Sequence, residues 1–259
     1  MIQLKSQREI EVMAHGGQIL ADTVALMERS VRPGISTEEL DEIADDFIRS
    51  HPGATPSFKG LYNFPASICT SINNEIVHGI PSKKRILAEG DIVSVDVGVK
   101  YHGYHTDSAT TVAVGKIPSE SQRLLDVTKK ALEAGVSAAR NGNHLGDIGA
   151  AVQAVVEKAG FSVVRDLVGH GIGSGFHEEP QVPNYGKPKR GLRLVPGLTI
   201  AIEPMVNVGK PGIRTMPDRW TVVTIDGMRS AHFEHTVAIT ENGPRVLTQS
   251  AVRTVAAVS

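Results

Sequence analysis

Apolar and small residues at Ile10, Met13, Gly17, Leu20, Val24 and Met27 recur in alternating steps of three and four, the period of a helix that buries one face. Ser6 and Glu9 ahead of them predict a capping box, in which hydroxyl and carboxylate satisfy amides that the first turn leaves unpaired. Arg32-Pro33-Gly34 ends that pattern. Ser36 and Glu39 form a second box, and Leu40, Ile43 and Phe47 carry a second helix to about Arg49. From Gly53 to Pro65 the texture of proline, glycine and aromatic residues predicts a loop.

The period then changes to two. Val93, Val95, Val97 and Val99 fall on one face of a strand, with Ile92, Ser94, Asp96 and Gly98 on the other. A turn at His102-Gly103 leads into a second strand from Asp107 to Val114. Two more helices follow, one from about Ser119 with Ser119-Glu-Ser-Gln122 as its cap, one from about Leu145 to Ala159. Gly160 stands where a left-handed C-terminal cap belongs. The remainder reads as short strands with glycine-rich connections.

The chain also echoes itself. Gly90-Asp-Ile-Val-Ser-Val-Asp96 matches Gly197-Leu-Thr-Ile-Ala-Ile-Glu203, each with a carboxylate ending an apolar strand. Asp107 precedes a strand ending at Gly115, and Glu234 precedes one ending at Gly243. Each half reads helix, helix, strand, strand, with one acid per strand. This predicts a single domain over residues 1–259 built from pseudo-repeats of about 1–118 and 119–259. Folding about a pseudo-twofold axis would bring the four acids together.

Composition narrows the class. With 27 Lys and Arg against 28 Asp and Glu, the 259-residue chain has a net charge of −1, which excludes a generally basic DNA binder and an acidic solvating tail. Cys69 is the single cysteine, so no internal disulfide holds the fold. No apolar run reaches the ~18 residues of a membrane helix, and the N-terminal stretch is charged from Lys5 onward, unlike a signal peptide. The expectation is a soluble, cytoplasmic protein with no membrane partner.

A lone acid at a strand end is ordinarily solvated. Four at matching places in two halves, with no lysine or arginine beside them in sequence, call for another explanation. Converging carboxylates carry −4, which two divalent cations neutralise. His170, in Val168-Gly-His-Gly-Ile-Gly173, is the candidate nitrogen ligand, because its flanking glycines permit close backbone approach. Oxygen ligands with one imidazole and no thiolate suit Mn, Fe or Co as well as Zn.

Asp96, Asp107, His170, Glu203 and Glu234 together resemble the metal-binding set of the type I methionine aminopeptidases. So do the strings Thr70-Ser-Ile-Asn73, His78-Gly-Ile-Pro81, Asp91-Ile-Val-Ser-Val-Asp-Val97, Gly169-His-Gly-Ile-Gly173, His177-Glu-Glu-Pro180, Ala201-Ile-Glu-Pro204 and Phe233-Glu-His235. The resemblance spans the whole chain. It implies the α+β pita-bread fold, two pseudo-symmetric halves with a curved antiparallel sheet covered by helices. It also implies removal of initiator methionine from nascent proteins with a small second residue, by attack of a hydroxide bridging two metal ions. Asp96 would be bidentate on one ion, Asp107 and Glu234 would bridge, and His170 with Glu203 would complete the other; Glu203 would also be the general base. His78 and His177 would contact substrate and stabilise the transition state, and Phe64, Cys69, Phe176 and Trp220 would line the methionine pocket.

The chain departs from the family at Phe58, where a second pocket cysteine is common, so pocket shape is open there. It begins almost at the first catalytic-domain helix, so no zinc-binding extension is expected. The stretch 204–233 leaves no space for the helical insertion of type II enzymes. Because Met1 is followed by bulky Ile2, such an enzyme is expected to retain its own methionine. The basic loop Lys187-Pro-Lys-Arg-Gly-Leu-Arg193 reads as solvated surface or as a contact for ribosomal RNA near the exit tunnel. His102 and His105 are expected to be exposed, and His235 to support Glu234, in a chain acting as a monomer. Two alternatives remain: a related peptidase cleaving before proline, and a non-enzymatic binding module on the same fold.

Overall fold

The protein is described by a computed structural model covering residues 2–249; Met1, on which the initiator expectation rests, and the C-terminal end of the expected domain lie outside the described residues. Among the described residues, four α-helices and a set of antiparallel sheets form an α+β architecture. Helix α1, Gln7–Ser30, and helix α2, Thr37–Arg49, both open on the expected capping boxes, with Ser6 and Glu9, and Ser36 and Glu39, satisfying each other's backbone amides. Helix α4, Leu145–Lys158, ends in a left-handed cap: Gly160 has φ +77°, its amide donates to Glu157 O and that of Phe161 to Val156 O.

Helix α3, Ser119–Ala138, starts differently from expectation. Its N-cap is Pro118, and no side chain caps it. The segment expected to be loop from Gly53 to Pro65 also contains a short strand, Ala54–Pro56, and a turn of 3-10 helix, Leu61–Asn63.

The valine strand runs from Ile92 to Tyr101 and pairs with Tyr104–Ala113 through a two-residue hairpin whose His102 and Gly103 both have positive φ. That conformation twists with the strands it joins. Val93, Val95, Val97 and Val99 pack under α1 and α2 with Leu20, Met27, Leu40 and Ile48, all excluded from solvent. In the second half Thr199–Ile202 pairs with His235–Thr240 and with Gly169–Gly171. Its apolar side chains pack with Leu132 of α3 and Ile148 of α4. Helices thus cover one side of the two sheets that carry the acids, and the polar faces of their central strands turn toward each other. Among the described residues, no helix is long and apolar enough to cross a membrane.

Candidate metal centre

Strand register places the acids. Asp96 pairs with Ala109 and Gly98 with Asp107, so both aspartates lie on the face opposite the valines as diagonal neighbours. Ile202 pairs with His235; continuing that antiparallel ladder by one residue sets Glu203 beside Glu234. The two pairs are brought together by side-chain and backbone hydrogen bonds. Thr236 Oγ1 accepts the Asp107 amide, the Glu234 amide donates to Ala109 O, and Ser108 Oγ donates to Glu234 O.

His170 joins them from the strand Gly169–Gly171. A Cβ on Gly169 would lie 2.3 Å from Ala201 O, and one on Gly171 would lie 2.2 Å from Glu179 O, so only glycine permits this approach on both sides. The imidazole Nδ1 donates to Gly171 O at 2.8 Å, which turns an unprotonated Nε2 toward the acids. Nε2 lies 3.9 Å from Asp107 Oδ2 and 3.8 Å from Glu203 Oε1. Ligand atoms of Asp107, His170 and Glu234 all fall within 4.8 Å of one another.

The electrostatics of this cluster are unfavourable for bare carboxylates. Asp96 is pushed up to about 7 by burial. Asp107, Glu203 and Glu234 are pushed well above the usual carboxylate range, by burial first and then by one another or by Asp96. Burial moves His170 the other way, to about 4, so its imidazole stays neutral. Asp96 Oδ1, Asp107 Oδ1 and Glu234 Oε1 are buried without any hydrogen-bond partner. Among the described residues, the bases within 4.0 Å of these acids are the imidazoles of His170 and His232. Orphaned, acceptor-only oxygens converging on one imidazole nitrogen fit divalent cations.

The acids form the floor of a cleft with two lobes. The smaller, about 150 Å³, is walled by Phe58, Leu61, Phe64, Cys69, Phe176 and Trp220. Its rings meet edge to face, Phe64 with Trp220 at 5.0 Å and Phe58 with Phe176 at 5.4 Å between centroids. The larger, about 460 Å³, is lined by Leu167, Gln181 and Met205 among others. His78 and His177 border both lobes. His78 holds a left-handed backbone, φ +60°, and His177 stacks on Tyr62 at 5.8 Å with the tyrosine hydroxyl 3.4 Å from its Nδ1.

A family model for metallopeptidase family M24 matches residues 11–241. The chain belongs to metallopeptidase family M24. Within M24 it is 53% identical over 248 residues to a methionine aminopeptidase of Clostridium perfringens, covering 96% of this chain and 99% of that one. It is 51% identical to methionine aminopeptidase 1 of Bacillus subtilis, covering 96% of this chain and all of the other. The crystal structure of the Thermotoga maritima methionine aminopeptidase superposes with a TM-score of 0.94 at 42% identity, over 96% of this chain and all of that one. These relatives place the chain among the bacterial-type methionine aminopeptidases of M24, with their pita-bread fold, and make it a metallo-aminopeptidase.

The five acid and imidazole candidates, His78, His177 and the four pocket residues expected from sequence all line this cleft, and the structure adds Leu61, Tyr62 and His232. Phe58 packs as an aromatic wall where a cysteine is common in the family; Leu61 and Tyr62 close the mouth; His232 sits behind Glu203. The resemblance had marked the position of Phe58, but nothing local marked His232. Two histidines depart from expectation. His105 is buried, its Nδ1 2.9 Å from Ser57 Oγ and its amide donating to Gly173 O, because it lies inside the strand rather than in the turn. His235 Nδ1 lies 2.9 Å from Thr248 Oγ1; strand alternation points it away from Glu234.

Proposed function

We propose that this chain releases the N-terminal methionine of nascent peptides with small second residues, using two divalent ions held by Asp96, Asp107, His170, Glu203 and Glu234. The observation that carries it is the burial of four carboxylates around one neutral imidazole, with three of their oxygens unpaired. Asp96 would serve one ion, Asp107 and Glu234 both, and His170 with Glu203 the other. Such ions supply Lewis-acid polarisation of a carbonyl and lower the pKa of water toward neutrality.

The protein's own groups do the rest. The aromatic lobe takes the unbranched thioether, whose sulfur gains contacts with ring edges. That fixes the first peptide bond over the acids. Glu203 takes a proton from the attacking water and returns it to the leaving amine. His78 and His177 donate hydrogen bonds to oxygen as its charge grows in the transition state. His78 is pushed down to about 4 by burial and by His177, so it acts as a neutral donor. The exposed basic loop 187–193 suits contact with ribosomal RNA phosphates, for an enzyme working as a cytoplasmic monomer.

The test is hydrolysis of Met-Ala-Ser by chelated protein during stepwise return of Mn(II), Co(II), Fe(II) or Zn(II). Activity should reappear and saturate by two ions per chain, with no cleavage of an X-Pro peptide. Cleavage before proline instead would make it a prolidase-type relative. Failure of intact protein to take up two ions would favour a binding module.

A further inference from the structure

His232 has no part in that chemistry, yet it is buried beside it at 2% exposure. Its backbone is held at both groups by a single hydroxyl: the amide donates to Thr111 Oγ1 at 2.9 Å, and the carbonyl accepts from the same oxygen at 2.8 Å. Thr111 Oγ1 is in turn 2.8 Å from Ser94 Oγ, on the strand that carries Asp96. The residue is therefore fixed in place.

The side chain stands in contrast, since neither Nδ1 nor Nε2 has a hydrogen-bond partner. An imidazole carries an N–H on at least one ring nitrogen in either protonation state, and a buried N–H without an acceptor is disfavoured. An apolar residue would fill the space without that penalty. The acceptors that Nε2 faces belong to the centre: Glu203 Oε2 at 3.7 Å and Glu234 Oε2 at 4.0 Å. Glu203 Oε1 faces His170 Nε2 at 3.8 Å, so one carboxylate is bracketed by two imidazoles, one at each oxygen.

The two histidines are not equivalent. His170 has its Nδ1 engaged by a carbonyl, the arrangement that leaves a bare nitrogen for a cation. His232 has no such acceptor at Nδ1 and is not part of the set of ligand atoms within 4.8 Å of one another. That difference marks His232 as a donor to the carboxylate.

We infer that His232 is a positioning residue for Glu203: its Nε2–H is aimed at Oε2 from 3.7 Å and biases the rotation of the carboxylate. Oε1 then stays toward His170, while Oε2 keeps the direction in which it exchanges a proton. The inference rests on the reading of Glu203 as proton carrier.

Long-range 1H–15N spectra of 15N-histidine-labelled, Zn(II)-loaded protein test it directly, with His232 assigned by its loss in His232→Gln. The expected tautomer has the proton on Nε2; a proton on Nδ1 alone overturns the inference. In kinetics, His232→Phe should lower kcat on Met-Ala-Ser about 10- to 100-fold, with KM little changed and two Mn(II) still bound. His232→Gln, which restores an N–H near the same point, should recover most of the loss. Equal damage in both variants, a rise confined to KM, or loss of one Mn(II) would each overturn the assignment. If His232→Phe does not fold, the wild-type spectrum still decides. Inactive wild-type protein with its ions restored would instead sink the reading of Glu203, independently of the tautomer.

Discussion

Thr236 clips Asp107 at both backbone groups: its Oγ1 accepts the Asp107 amide at 2.9 Å and donates to the Asp107 carbonyl at 2.8 Å. The two residues come from opposite halves of the chain, and Thr236 is fully buried. Thr236→Val keeps the shape and removes both bonds. It should cost about 1–3 kcal/mol, the range for leaving buried polar groups unpaired, and weaken Mn(II) binding. Urea unfolding and a metal titration check the two effects; unchanged values in both would show that the clip does not position Asp107.

Asp107→Asn should lose uptake of two ions and hydrolysis of Met-Ala-Ser while the fold survives. Removing one of four mutually repelling buried acids should leave the metal-free protein at pH 8 melting no lower than wild type. Equilibrium dialysis and a thermal melt measure these. Near-normal turnover with metal supplied would count against the bridging role proposed for Asp107.

His177 stands at the mouth, stacked on Tyr62, and is outside the set of converging ligand atoms. His177→Ala should lower kcat by about 10²-fold, as for loss of one transition-state donor, with two ions still bound. Loss of an ion would show that His177 is a ligand.

The metal-free protein should become less stable as pH rises from about 4 to about 7. Asp96 is pushed from 3.8 up to about 7, so across this window the folded state retains a proton that the unfolded state has released. Its contribution is complete below the unfolded value and is lost as pH passes the folded one, at up to about 1.4 kcal/mol per pH unit for one group. Glu9, held at about 2 by Tyr104 and Ser6, acts in the opposite sense, its contribution being lost as pH falls below 4.5. Thermal melts between pH 4 and 8 should show the decline, and saturating Zn(II) should remove it.

Gly98→Ala should narrow the small lobe. The new Cβ would lie 2.7 Å from Phe58 Cε1, 2.8 Å from Ser57 Cβ and 3.1 Å from Phe176 Cε2, so the rings must move. KM for Met-Ala-Ser should rise roughly tenfold or more, the scale of one methylene in an apolar pocket, with kcat changed less. A shift confined to kcat would place the methionine side chain elsewhere.

Much of this was legible because local rules and burial agree. The capping boxes of α1 and α2, the valine face and the His102-Gly103 hairpin all depend on neighbours in sequence. Strand register likewise carries local sequence into space, setting Asp96 diagonal to Asp107 and Glu203 beside Glu234. Ser119 misled because a serine before a glutamine looks like a cap, whereas Pro118 already sets the helix start. His105 misled because the second strand begins at Tyr104 rather than Asp107, which places the histidine inside the sheet against Ser57. His232 was silent, since its meaning lies in the distance to Glu203 and in the hydroxyl of Thr111, neither of which leaves a local pattern.

Cys69 pairs in register with Asp96 and lies within the wall of the small lobe. Burial, and after it the fields of Asp96, Asp107, Asp41 and Glu234, push its thiol well above the ordinary range. Because the thiolate is the reactive form, burial and the neighbouring acids together disfavour reaction of the chain's one sulfhydryl. A sulfur can thereby sit in the wall of the small lobe with little of it in the reactive thiolate form.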